Sequence, residues 1–221
     1  RKVLIAESFF RIMDKTSMLI AGIIKEDMHE AYMVHDRLFK EMSDTNTPQG
    51  IMAVLDVEEK KLNEIMGERN LFVLLESVQD PGNMGTIIRT ADAAGFNGII
   101  ASNGCVDVYN PKVLRSTMGS IFHVPVIHSP NLHDSINYLR ECGVRTYAAH
   151  LDGVKSCFDS EMKNNSAIVI GNEANGLSDD TASLVDSLLK IPIVGKADSL
   201  NASVAAGILM YECVRQNLNI Y

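Results

Sequence analysis

LFVLLESVQDPGNMGTIIRTADAAGFNGIIAS, residues 71–102, decides the architecture of this chain. Its two ends, LFVLLE and GIIAS, are short apolar runs without polar alternation, the pattern of strands buried on both faces. Between them, Asp80-Pro81-Gly82 is a turn signal and residues 86–94 carry a helical pattern. The same rhythm continues outward. HVPVI (123–127), VRTYAAH (144–150), SAIVIG (166–171) and LLKIPIV (188–194) read as further strands. Helices are expected over 111–118, 132–142, 178–187 and 202–216. Strands alternating with helices predict a doubly wound α/β domain with a mostly parallel sheet. In such sheets ligands collect beyond the carboxyl ends of the strands.

The N-terminal part has a different texture. It alternates short apolar runs with charged, helical-looking stretches such as 24–38, then reaches the turn-rich SDTNTPQG (43–50) and a strand-like IMAVLDV (51–57). VEEKKLNEIMGERN (57–70) is highly charged and reads as a solvated helix or linker. We therefore expect two domains, residues 1–66 and residues 71–221.

Composition narrows the function classes. With 221 residues, 46% hydrophobic and 22% charged, the chain has the make-up of a soluble globular protein able to bury a proper core. No apolar run approaches the roughly 20 residues a membrane span requires. RKVLIAESFF lacks a signal-peptide cleavage pattern, and the absence of an initiating Met implies processing or partial coverage of a longer chain. The four cysteines (Cys105, Cys142, Cys157, Cys213) form no metal-like spacing and read as reduced thiols of a cytoplasmic protein. The scattered histidines match no metal motif either, so no metal is expected. Net charge is −8, and neither part is basic: residues 1–70 carry 10 Lys and Arg against 13 Asp and Glu, residues 71–221 carry 10 against 15. Any nucleic-acid contact must then come from a local patch, because such affinity rests on neutralising phosphates.

Three polar, glycine-bearing segments follow strand-like runs and open into helix-like ones: SVQDPGNMGTIIRTADAAGF (77–96), IVIGNEANGL (168–177) and IPIVGKADSLNASVAAGILMYE (191–212). In the first, Asn83 is expected on the loop and Arg89 one to two turns into the helix. An amide and a guanidinium aimed at one pocket suit an anionic or hydroxyl-bearing substrate, since the Arg fork matches phosphate. The competing reading makes Asn83 a helix cap and pairs Arg89 with Asp92 or Glu76. In the second, Gly171 and Gly176 allow close backbone approach to a flat ligand. Glu173 there is an acceptor or acid, or else a carboxylate favoured by a helix N-terminus. In the third, Ser199, Leu200, Asn201 and Ser203 open a helix apolar enough to be buried all round, with Ser199 or Asn201 as its cap. On residues alone this describes an α/β enzyme handling a phosphorylated small molecule. The glycine spacing is a poor match to a dinucleotide fingerprint.

In order and spacing these segments resemble the three motifs of the SpoU (TrmH-like) branch of the SPOUT superfamily, RNA 2′-O-ribose methyltransferases. NPKVLRSTMGSIFHVPV (110–126) is similar to the family's intervening pattern, and the likeness covers about residues 71–217. FKEMSDTNTPQGIMAV (39–54) resembles the end of a small L30e-like RNA-binding module that precedes the catalytic domain in many members. Here ESFF lacks the glycine of that module's usual aromatic and Glu-Gly pattern.

The resemblance implies a parallel-sheet α/β-knot (trefoil knot) catalytic domain with a small N-terminal α/β substrate-binding domain, although knots are essentially absent from other folds. It also implies a homodimer and S-adenosylmethionine (AdoMet) as methyl donor, held against Gly171, Ile191 and Leu200 largely through backbone groups. Arg89 is then the catalytic residue, supported by Asn83, Glu173, Ser199 and Asn201, and Arg115 grips RNA backbone. The expected reaction is methyl transfer to a ribose 2′-hydroxyl, of ribosomal RNA before transfer RNA. A catalytically silent RNA-binding paralogue is the third reading, against which the retained site residues argue.

Overall fold

The structure, a computed structural model, describes residues 2–11, 15–27, 30–43 and 45–218. The chain divides into two compact units, Arg1–Glu58 and Glu59–Tyr221. In the first, β1 (Lys2–Ala6) pairs in parallel with β2 (Ala31–Val34) and antiparallel with β3 (Ile51–Val54); α1 (Lys15–Asp27) and α2 (Asp36–Met42) complete the unit. The strand β2, whose residues AYMV carry no charge, interrupts the stretch 24–38 that reads as helical. Residues 28 and 29 of that stretch lie outside the described residues.

The second unit holds β4 (Leu71–Leu75), α3 (Pro81–Ala93), β5 (Gly98–Ser102), α4 (Pro111–Thr117), β6 (Val126–Ser129), α5 (Leu132–Glu141), β7 (Arg145–Ala149), β8 (Lys155–Ser156), β9 (Ser166–Ile170), α6 (Asp179–Leu184), β10 (Ser187–Lys190) and α7 (Ala202–Asn217). The sheet runs β6-β5-β4-β9-β7-β10-β8, and every pairing is parallel. β4, β5 and β9 are buried at every position, which is why their sequences show no polar alternation. Two cores follow, one per face. Met84, Ile87 and Ile88 of α3, Val113 of α4 and Ala206 and Leu209 of α7 cover one face. Leu132, Ile136 and Leu139 of α5 cover the other, joined by Leu184 of α6. Truncating a fully buried side chain such as Phe72 to Ala would cost about 3–5 kcal/mol.

Several local expectations change. The segment 57–70 is no helix: it holds a single 3₁₀ turn, Leu62–Glu64, and Leu62, Ile65 and Met66 pack against the core. IPIV (191–194) lies beyond β10 in a loop, and β10 starts instead at Ser187. Asp186 fixes that start beside β7 by accepting from the Thr146 amide and hydroxyl, each at 2.8 Å. Nor is α7 buried all round. Val204 and Tyr211 are 50% and 51% exposed while Ala206, Leu209, Met210 and Cys213 are buried, so an apolar stripe of the helix faces outward. Among the described residues, no helix is long and apolar enough to cross a membrane.

Candidate active site

All pairings of the seven-stranded sheet are parallel, so the segments after β4, β9 and β10 leave from the same end of it. β4 and β9 are direct neighbours there, with Leu75 opposite Ile170. Each segment supplies one side chain to a hydrogen-bonded chain. Asn201 Nδ2 donates to Asn83 Oδ1 at 2.9 Å, and Asn83 Nδ2 donates to Glu173 Oε1 at 3.0 Å. Glu173 also accepts from the amides of Asp80 at 3.0 Å and Gln79 at 3.2 Å. Burial pushes the Glu173 carboxyl up. The hydrogen bonds from Asn83, Asp80, its own amide and Gln79 outweigh this and hold it below the ordinary carboxylate range.

Local rules explain each placement. Pro81 occupies the first turn of α3, where its missing N–H is no loss, and Asp80 caps the helix by accepting from the Asn83 amide at 2.7 Å. Asn83 is therefore neither a loop residue nor the cap. It sits inside the first turn, buried, with its side chain free to bridge the other two segments. The cap of α7 is Asn201, whose Oδ1 accepts from the Ser203 and Val204 amides. One Asn thus ends a helix and reaches across to Asn83.

The second segment is a tight loop. Asn172 and Gly176 exchange two main-chain hydrogen bonds of 2.9 Å, and Asn172 Nδ2 donates to the Ser77 carbonyl at 2.8 Å. Gly171 packs so closely on this closure that an added Cβ would lie 2.2 Å from the Gly176 carbonyl carbon. Only glycine fits. Beside the loop lies a cleft of about 530 Å³ lined by Glu76, Ser77, Gln79, Asn172, Gly176 and Ser178. Glu76 is fully engaged there, accepting from the Ser178 amide and hydroxyl and from the Thr181 hydroxyl.

The other expected residues stand apart from the chain of three. Arg89 is exposed on α3 and, among the described residues, its side chain makes no hydrogen bond or ion pair. Its two candidate acidic partners are taken: Glu76 as above, Asp92 by His123 at 2.9 Å. Ser199 is exposed in the loop before α7, makes no hydrogen bond among the described residues, and is not the cap of α7. Ile191 packs against the core and Leu200 is 37% exposed. No main-chain group of residues 192–200 pairs with another main-chain group among the described residues. These exposed N–H and C=O groups are therefore available to a ligand. Arg115 lies exposed on α4. Among the described residues, no group of His, Cys, Asp and Glu is arranged to bind a metal.

Sequence reasoning missed Asp80, Asn172 and His123. Asp80 was legible, since Asp before Pro is a helix-start signal. The partners of Asn172 and His123 lie 95 and 31 residues away, and no local pattern announces them.

Comparison with known proteins matches residues 70–211 to the model of the SpoU rRNA Methylase family. The chain is 38% identical over 182 residues to the 23S rRNA (guanosine(2553)-2′-O)-methyltransferase RlmP of Bacillus subtilis, covering 82% of this chain and 71% of that protein. It is 36% identical over 189 residues to the 23S rRNA (uridine(2479)-2′-O)-methyltransferase of Streptomyces viridochromogenes, covering 82% of this chain and 66% of that one. The crystal structure of the SpoU methyltransferase AviRb from Streptomyces viridochromogenes in complex with the cofactor AdoMet superposes with a TM-score of 0.84. That match has 32% identity and covers 98% of this chain and 82% of that one.

Proposed function

The chain belongs to the SpoU rRNA methylase family, and on that premise we propose that it transfers a methyl group from AdoMet to a ribose 2′-hydroxyl of ribosomal RNA. The observation that carries this reading is the Asn201–Asn83–Glu173 chain, which ties the three motif segments into one site.

Bound AdoMet supplies an electrophilic methyl group; the protein's task is to position and deprotonate a weak nucleophile. The backbone of residues 192–200, with Ile191 and Leu200, and the loop held by Gly171 fit the donor's adenine and ribose. The hydrogen-bonded chain fixes the starts of α3 and α7 relative to that loop. Arg89, exposed and unpaired, is free to engage a substrate phosphate beside the reacting ribose. Its cationic fork orients the phosphate and lowers the hydroxyl's pKa by its charge, and the proton released on methylation passes to solvent water. Glu173, Asn83 and Asn201 support it, Ser199 lines the donor loop, and Arg115 with Lys112 on α4 forms the local basic patch that an acidic chain needs for RNA.

Further elements of the proposal rest on family membership together with particular features. A C-terminal trefoil knot accounts for an apolar α7 packed beside α3 and β9 at the end of the fold. A homodimer accounts for the outward stripe of Val204 and Tyr211. The unit Arg1–Glu58 serves as an L30e-like RNA-binding module, and the protein acts in the cytoplasm. Incubation with labelled AdoMet and total RNA, followed by mapping of the modified nucleotide, tests the whole. Label at a 2′-O-methyl ribose of ribosomal RNA is the expected result. Label confined to transfer RNA would reassign the substrate, and no label with AdoMet still bound would make the chain a silent binder.

A further inference from the structure

The exposed face of α3 carries Arg89 and, three residues on, Asp92. Residues at that spacing are neighbours on a helix surface, and an Arg and an Asp placed so attract each other. The pair does not form. Asp92 instead turns to His123, at the end of the 3₁₀ turn Ser120–Phe122 that packs against α3, with Oδ2 2.9 Å from Nδ1. We propose that His123 is a positioning residue that keeps Arg89 free for RNA by holding the Asp92 carboxylate away from it.

Three observations support this. First, a carboxylate only accepts, so His123 must donate from Nδ1, and it can do so whether neutral or charged; the hold does not depend on its ionisation. Second, the hydrogen bond from His123, with one from the Ser120 side chain, overrides burial and keeps the Asp92 carboxyl below its ordinary range. Asp92 thus stays an anion and would be a competent quencher if released. Third, Arg89 is exposed and its side chain has no partner among the described residues, although Asp92 lies three residues on.

The inference rests on Arg89 acting on RNA, and its test separates the two ideas. Single-turnover methyl transfer is measured for the full chain, His123→Ala, Asp92→Asn, the double variant, and His123→Asn, which keeps a donor. An exposed ion pair is worth about 0.2–1 kcal/mol, so His123→Ala should slow transfer about two- to fivefold. The double variant and His123→Asn should recover the wild-type rate, which a merely structural role for His123 would not produce. A second readout needs no catalysis: NMR of the Arg89 guanidinium should show free rotation in the wild type and hindered rotation in His123→Ala, relieved by adding Asp92→Asn. Unchanged rotation in His123→Ala, or a double variant as slow as the single, overturns the proposal. If no variant, wild type included, transfers methyl but the rotation pattern holds, the proposed activity fails while the positioning of Arg89 stands.

Discussion

Asn83 donates to Glu173 across 3.0 Å although the two are 90 residues apart in sequence, and the same amide accepts from Asn201 at 2.9 Å. Its oxygen and nitrogen are thus both used, so no smaller side chain can substitute. Asn83→Ala should lower kcat about a hundredfold, the cost of loosening groups that must be aligned to within about an ångström. Loss of these hydrogen bonds should cost about 1–3 kcal/mol of stability. Steady-state kinetics and urea denaturation on the same preparation check both. Unchanged kcat would remove Asn83 from the machinery.

Glu173 gives the site a pH signature. Its carboxyl is held below the 4.5 of a free Glu side chain. A depressed folded-state pKa contributes stability that is fully present above the unfolded value and is lost as pH falls through the folded one. The urea midpoint of the wild type should therefore fall more steeply below about pH 4.5 than that of Glu173→Gln. Parallel curves would mean that these hydrogen bonds do not favour the anion.

Gly171→Ala should abolish AdoMet binding measured by calorimetry, because the new Cβ would meet the Gly176 carbonyl carbon at 2.2 Å and force the loop open. Gly67→Ala, whose nearest neighbours would lie 3.8 and 3.9 Å away, should bind normally. Equal affinities would sever the loop's closure from the donor site.

The four thiols should separate by rate. Cys142 is exposed, Cys105 half-buried, and Cys157 and Cys213 buried. Burial raises Cys105 and Cys157 above the ordinary thiol range and pushes Cys213 up to about 12. Since the thiolate is the reactive form, a colorimetric thiol titration should find one fast group in the native protein and four after denaturation. Two or more fast groups would contradict the packing.

Val204→Glu places a charge on the outward stripe of α7. Sedimentation should show a dimer for the wild type and a monomer for the variant at micromolar concentration. A wild-type monomer would remove the dimer from the proposal.

What could be read in advance follows the range of the forces involved. Strands such as SAIVIG announce themselves because burial on both faces demands unbroken apolar runs, and β9 is buried at all its positions. The two-residue strand β8 leaves no such trace, and β2 is hidden in a stretch whose charges suggest a helix. Asn83, Glu173 and Asn201 stood out as polar groups in apolar surroundings. That they bond to one another depended on tertiary placement that no local pattern encodes, whereas the Asp80 cap of α3 was legible in the Asp-Pro pair. The outward stripe of α7 was masked because its composition is apolar on every side, whatever each side faces.

The most direct test of the central claim pairs two readings on one substitution. Methyl transfer from labelled AdoMet to ribosomal RNA, mapped to the ribose, is compared for the wild type and Arg89→Ala, with AdoMet affinity measured in parallel. The account predicts transfer to a 2′-oxygen by the wild type, and a loss of about a hundredfold or more in the variant with AdoMet bound as tightly as before. An Arg89→Ala protein that transfers at the wild-type rate, or one that no longer holds AdoMet, would contradict the role of Arg89 on the RNA side of the site.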